Sequence, residues 1–276
     1  MSLPPLDIPA LLRQYGLRPD KSLGQNFLLD EAALQQVVEI AQVTAQDTVL
    51  EVGAGLGSLT RYLACSGGPV IAVELDDRLL APLRQVLSPF PNVQIVAGDI
   101  LALNPARLVP EGSYLVVANI PYYITSALIR HLLEADRQPT RLVLTLQKEV
   151  AQRICATPGN LSLLALSVQV YGQPYLAAHI PADAFYPSPQ VDSAVLRVDI
   201  YPVPAIPPHL LDDFFHLTKA GFSQKRKTMR NALAGGLGWS TARSGELLQT
   251  AQIDPFRRAE TLSLAEWLNL TLAYTR

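Results

Sequence analysis

Through the first two-thirds of the chain, short apolar runs alternate with apolar positions at helical spacing. Thr48–Val52, Val70–Glu74, Val93–Ala97, residues 114–118 and Arg141–Gln147 are dominated by apolar residues, as strands buried on both faces are. Residues 59–64, 78–87, 126–135 and 148–156 read instead as helices. Two further apolar stretches, 161–171 and 194–201, are long enough to complete a sheet. Strand and helix in alternation predict an α/β fold with a doubly wound sheet, whose ligand crevice lies at the C-terminal ends of the strands.

The pattern breaks at Tyr201-Pro-Val-Pro-Ala-Ile-Pro-Pro208, where proline density predicts a linker. Beyond it, residues 210–221, 225–233, 241–249 and 262–273 read as short helices with no strand between them. Two domains are expected, a catalytic one over 1–202 and a small helical one over 203–276.

Composition adds a charge split to this picture. The chain of 276 residues is 49% hydrophobic with a net charge of −2, which excludes disorder and a uniformly basic nucleic-acid binder. Residues 1–202 hold 13 Lys/Arg against 18 Asp/Glu, whereas residues 203–276 hold 9 against 6, so polyanion contact is expected of the C-terminal part. Cys65 and Cys155 have no CxxC partner and read as idle thiols, and the four histidines lack ligand spacing, so no metal is expected. No run approaches a membrane span and no charged-then-apolar leader opens the sequence, so a cytoplasmic protein is expected.

The first motif with chemistry is Val49-Leu-Glu-Val-Gly-Ala-Gly-Leu-Gly-Ser-Leu-Thr60. An apolar strand delivers Gly53, Gly55 and Gly57 into a turn that opens a helix, and glycine there lets backbone approach a ligand closely. The spacing differs from the Gly-x-Gly-x-x-Gly that wraps a pyrophosphate. Glu74 closes the next strand, where a carboxylate can accept both ribose hydroxyls, and Asp99 follows the third, where it can accept from an adenine amino group. Three successive strand ends thus form a nucleoside-shaped set, which fits S-adenosylmethionine better than NAD.

The fourth strand ends in Asn119-Ile-Pro-Tyr122. An exocyclic adenine amine is a poor nucleophile because its lone pair is delocalised into the ring. Accepting hydrogen bonds from both of its N–H groups favours the form that attacks a methyl sulfonium. The Asn119 side-chain oxygen can supply one acceptor and the Ile120 carbonyl, held extended before Pro121, the other. Tyr122 offers a face on which a flipped-out base can stack. Phe185 or Tyr186, in the proline-rich stretch Ala184-Phe-Tyr-Pro-Ser-Pro189, could close the opposite face.

With these motifs in place, the sequence resembles the ribosomal RNA adenine N6-dimethyltransferases, the KsgA or RsmA family. The resemblance also rests on Lys21-Ser-Leu-Gly-Gln-Asn-Phe-Leu28, Val73-Glu-Leu-Asp76, Leu146-Gln-Lys-Glu-Val150, Phe185-Tyr-Pro-Ser-Pro-Gln-Val-Asp-Ser193 and Phe222-Ser-Gln-Lys-Arg-Lys-Thr-Met-Arg-Asn231. It implies a Rossmann-like methyltransferase sheet with S-adenosylmethionine held by Gln25, Asn26, Leu28, Gly53, Gly55, Glu74, Asp99 and Asn119. It implies Asn119, Ile120, Pro121, Tyr122 and Phe185 around the target base. The expected product is a pair of adjacent dimethylated adenosines in a 3′-end hairpin loop of small-subunit (16S) ribosomal RNA. The expected partner is a partly assembled ribosomal particle, met by a monomer during ribosome biogenesis. The Erm resistance methylases share the fold and Asn-x-Pro-Tyr but act on large-subunit RNA; the segments at Lys21 and Phe222 look like the KsgA side.

Residues 219–230 contain Lys219, Lys225, Arg226, Lys227 and Arg230 and no acid, a cluster suited to neutralising phosphates; Lys225, Arg226, Lys227 and Arg230 are the expected RNA contacts. Two other classes compete. A nicotinamide-dependent reductase could use the same sheet, and a non-enzymatic RNA-binding assembly factor could keep the fold without turnover. The glycine spacing disfavours the first, and Glu74, Asp99 and Asn119 together disfavour the second.

Overall fold

A computed structural model describes residues 3–275. Nine strands occur among them: β1 (Phe27–Leu28), β2 (Thr48–Val52), β3 (Val70–Glu74), β4 (Val93–Ala97), β5 (Tyr114–Asn119), β6 (Arg141–Gln147), β7 (Gly172–Ile180), β8 (Phe185–Tyr186) and β9 (Ser193–Ile200). Seven form one sheet in the order β4-β3-β2-β5-β6-β9-β7. Pairings from β4 across to β6 are parallel, and β9 runs antiparallel to β6 with Leu144 opposite Leu196. The central strands are apolar because both of their faces are covered: Val49, Leu50, Val116, Val117, Leu142 and Val143 are all fully buried.

The chain builds outward from β2 to β3 and β4, then returns to lay β5 on the other side of β2. This reversal opens a crevice beyond the ends of β2 and β5, the usual ligand position in such sheets. A second, two-stranded sheet pairs β1 with β8 antiparallel, Leu28 opposite Phe185.

The chain forms two compact units, one of Met1–Ala151 with Tyr175–Ile200, the other of Gln152–Pro174 with Tyr201–Arg276. The second unit resumes at Tyr201 and also takes in 152–174, which lie outside the expected helical domain of 203–276. The reason is local. Residues 161–171 were expected to extend the sheet, yet Leu163–Gln169 is a helix whose N-cap Ser162 accepts a hydrogen bond from the Ala165 amide. Within that unit, the Val170 and Tyr171 carbonyls accept from the amides of Ala205 and Tyr201, so the proline-rich segment is hydrogen-bonded rather than a free linker. A strand not foreseen, β7, occupies the edge of the sheet, the position at which a strand proline such as Pro174 is tolerated.

The second unit has its own core. Helices Leu211–Phe222, Met229–Leu237, Thr241–Thr250 and Leu264–Tyr274 bury Phe214, Leu217, Met229, Leu233, Leu248, Trp267 and Leu270, and Phe222 stacks on Trp267. The expected helix over 225–233 starts later, at Met229, because Thr228 is extended (φ −67°, ψ 157°); Lys225, Arg226 and Lys227 lie on the exposed turn before it.

Candidate active site

A cavity of about 220 Å³ lies at the strand ends of the first unit. Gly53, Gly55, Glu74, Asp99, Asn119, Ile120, Pro121 and Tyr122 line it, together with Gln25, Asn26 and Leu28. Sequence separations of nearly a hundred residues thus close into one site, because the ends of β2, β3, β4 and β5 and the segment leading into β1 converge there.

The glycine turn is built for this approach. Gly53, Gly55 and Gly57 have φ of 74°, 60° and 86°, conformations that L side chains rarely adopt. A Cβ on Gly55 would also stand 3.1 Å from the Phe27 ring. The Gly55 amide donates to Glu74 Oε2 at 2.6 Å, and the Asp76 amide donates to Oε1 at 2.8 Å. Each carboxylate oxygen therefore keeps acceptor capacity toward the cavity. Burial pushes the Glu74 pKa up, and the two backbone N–H bonds pull it back. Asp99 is exposed at the rim; its Oδ1 caps the Leu101 amide at 2.9 Å.

Asn119 ends β5 with its amide direction fixed. Its Nδ2 donates to the Asn26 carbonyl at 3.0 Å, and since a carbonyl only accepts, the side-chain oxygen must be the other arm. The Ile120 amide donates to Thr145 at 3.0 Å and the Ile120 side chain is buried, which pins the turn from below. Pro121 (φ −56°, ψ 128°) leads into a single 3-10 turn that carries Tyr122. The half-buried Tyr122 ring is held by a hydrogen bond of 2.8 Å between its hydroxyl and Ser193 on β9, and burial raises its pKa.

Gln25 lines the cavity, but both ends of its amide are engaged. Its Nε2 donates to Asp76 Oδ2 at 2.8 Å, and its Oε1 accepts from the Asp20 amide at 2.8 Å. Arg78 completes the network, donating to Asp76 at 2.7 and 2.8 Å and to Asp20 at 2.8 Å. Asp76 is held below the usual carboxylate range chiefly by this guanidinium. The network fastens residues 20–25 to the end of β3.

Phe185 corrects an expectation. It is 4% exposed, packs with Leu28, Ile180 and Val195, and does not line the cavity. Pairing of β8 with β1 turns its ring into the core, where burying a large aromatic gains more than exposing it, while Tyr186 on the alternate face is partly exposed.

One cavity residue escaped the sequence reading. Glu51 sits on β2, 1% exposed, lining the cavity. Its Oε2 has no hydrogen-bond partner among the described residues. Burial pushes its pKa up to about 8, and the neighbouring charge on Glu74 adds to the rise, while Thr60 opposes it. A lone acid inside an apolar strand was the available signal. An orphaned buried acceptor beside a glycine cradle and two further carboxylates fits a donor-rich ligand with nucleoside and amino-acid parts, which is the make-up of S-adenosylmethionine.

The sequence profile of the family described as ribosomal RNA adenine dimethylase matches residues 17–273. The chain belongs to that family. Among adenine dimethylase relatives, the ribosomal RNA small subunit methyltransferase A of Dehalococcoides mccartyi is 47% identical over 267 residues, covering 96% of this chain and 91% of the relative. That of Moorella thermoacetica is 43% identical, covering 95% and 94%. The crystal structure of the 23S rRNA methyltransferase ErmE superposes with a TM-score of 0.73 at 27% identity, covering 91% of this chain and 100% of that one. A dimethyladenosine transferase from Plasmodium falciparum shares the fold at a TM-score of 0.76, with 23% identity, covering 90% and 97%. A Rossmann-like sheet followed by a helical region is common to them.

The remaining expected residues fall outside the cavity. Lys225, Arg226 and Lys227 are exposed in the second unit, whereas Arg230 is half-buried, with its guanidinium 5.3 Å from the centre of the Phe256 ring. Cys65 and Cys155 are free thiols. Among the described residues, no cluster of three His, Cys, Asp or Glu could hold a metal, and no helix is long and apolar enough to cross a membrane.

Proposed function

We propose that this chain is the small-subunit ribosomal RNA adenine N6-dimethyltransferase of its cell, using S-adenosylmethionine. The observation that carries this reading is the direction of the Asn119 amide. With its nitrogen committed to the Asn26 carbonyl, its oxygen is the arm left to meet an amine in the cavity.

Bound S-adenosylmethionine supplies an electrophilic methyl group. Gly53 and Gly55 would border its methionine end, Glu74 would accept from the ribose hydroxyls and Asp99 from its adenine amine. Asn26 and Leu28 close the pocket, and Gln25 works through the segment it fastens. Asn119 Oδ1 and the Ile120 carbonyl accept the two N6 hydrogens of the target adenine, which localises its lone pair. Tyr122 carries the base on its ring. No side chain has to remove a proton first, since the methylated amine becomes strongly acidic and loses its proton afterwards to water. Catalysis is then mainly positioning.

The substrate reading follows the relatives named small-subunit methyltransferases, at up to 47% identity, rather than the 23S enzyme at 27%. Two adjacent adenosines in a 3′-end hairpin loop, presented on a partly assembled particle in the cytoplasm to a monomeric enzyme, complete the proposal. Nucleoside mass spectrometry of ribosomal RNA from cells with and without the protein tests the substrate. Asn119→Ala should leave the cofactor Kd within about threefold while removing most methyl transfer, and Glu74→Ala should weaken the cofactor first. Comparable loss of cofactor binding in Asn119→Ala would refute the assigned role.

A further inference from the structure

The second unit carries an aromatic side chain in an unusual setting. Phe256 is 67% exposed, although the turn that holds it is tightly made. Ile253 and Ala259 on either side are buried anchors. The Phe256 amide donates to Asp254 Oδ1 at 2.9 Å, and the amides of Met229 and Arg230 donate to the carbonyls of Arg257 and Pro255 at 2.7 and 3.2 Å. Arg257 bonds the Thr261 carbonyl at 2.6 Å and pairs with Glu266. Exposure of the ring is therefore imposed by a fixed turn.

One face of that ring is covered by the Arg230 guanidinium, whose centre lies 5.3 Å from the ring centroid. The hydrogen bond from Met229 to Arg257 also ties this turn to the start of the helix that Lys225, Arg226 and Lys227 precede. An open aromatic face backed by a cation, on a turn tied to a helix that three exposed cations precede, matches a strand of negative charge that also offers flat π surfaces. Unpaired RNA carries a base with every phosphate; a duplex keeps its bases stacked inside, and an acidic peptide does not couple each negative charge to a ring.

We infer that Phe256, backed by Arg230, is a stacking platform for one unpaired nucleobase of the RNA whose phosphates meet Lys225, Arg226 and Lys227. The inference rests on the proposed RNA substrate and adds a contact that charge alone does not supply. Phosphate contacts are sequence-independent and fade with salt, whereas a stacked base contributes an affinity that salt hardly changes.

The test uses the full chain and small ribosomal subunits purified from cells lacking this methylation. Their affinity is measured over a salt series for wild type, Phe256→Ala, Phe256→Leu, Phe256→Trp and the triple variant Lys225→Ala/Arg226→Ala/Lys227→Ala. Phe256→Ala should weaken binding by about 5- to 100-fold without changing the dependence of log affinity on log salt. Phe256→Trp should restore it and Phe256→Leu should not. The triple variant should flatten the salt dependence. If Phe256→Ala binds as wild type while the triple variant is weakened, the stacking inference fails and the RNA reading stands. Full rescue by leucine also overturns it, in favour of an apolar protein contact. If neither variant weakens binding, the RNA reading of this unit fails as well. Because the ring is exposed, unchanged melting temperatures confirm that the variants fold.

Discussion

Replacing Glu51 by glutamine should make the protein more stable at alkaline pH, although it removes a native carboxylate. In the folded chain the group holds its proton up to a pH of about 8, while in the unfolded chain it releases it near the ordinary 4.5. Between those values the native state binds the extra proton, so stability falls as pH rises. The contribution is complete below 4.5, is lost progressively through that window, and is flat above 8. At about 1.4 kcal/mol for each pH unit, the full loss is on the order of 5 kcal/mol. Between pH 5.5 and 8.5 about 3 kcal/mol of it should be visible. Glutamine mimics the neutral acid and titrates nowhere, so Glu51→Gln should lack this decline. A chain of this size should show a relative melting shift on the order of 5–10 °C. The measurement is calorimetry or far-ultraviolet circular dichroism of both proteins, without cofactor, at the two pH values. Tryptophan fluorescence is unsuitable, since Trp239 and Trp267 both belong to the other unit. Parallel pH profiles for the two proteins would refute the reasoning, because they would mean that Glu51 is already ionised at neutral pH.

Two further outcomes follow from the geometry. Arg78→Ala removes the cation that holds Asp76 and Asp20 together, so residues 20–25 lose a fastening; the cofactor KM should rise about tenfold with kcat at saturation little changed, and Arg78→Lys should recover part of it, as steady-state kinetics can show. Gly236→Ala puts a Cβ 2.5 Å from the Cα of Ala220 on the facing helix, a backbone contact that cannot give way, and should destabilise the second unit by about 1–3 kcal/mol, read by tryptophan fluorescence during urea unfolding.

The parallel strands were legible because burial on both faces leaves a nearly unbroken apolar run, and the glycine turn and strand-end acids were legible because they follow such runs. Residues 161–171 were not, since a continuous apolar run fits a buried strand and a buried helix equally; Ser162, the cap that decides it, is one residue in an otherwise uniform stretch. Phe185 was misplaced because a two-residue strand pairing leaves no periodic signal, yet it determines which face the ring turns to. Gln25 is placed beside the cavity only by the family resemblance, and its engagement is not legible, as Asp76 and Arg78 are more than fifty residues away. Glu51 stands out in the sequence only as a lone acid: its meaning comes from burial, which spacing does not report.

The bond from Asn119 to the Asn26 carbonyl reaches across 93 positions of sequence. A primary amide rotated by half a turn looks almost the same in shape but offers hydrogens where it had offered lone pairs. Toward an amine that must itself give up hydrogens, such a rotated group is a repellent. The backbone of a segment near the start of the chain thus acts as a compass for the amide at the end of β5. Given the role proposed for Asn119, trimming or displacing that segment should abolish methyl transfer by freeing the amide, even with the rest of β5 unmoved.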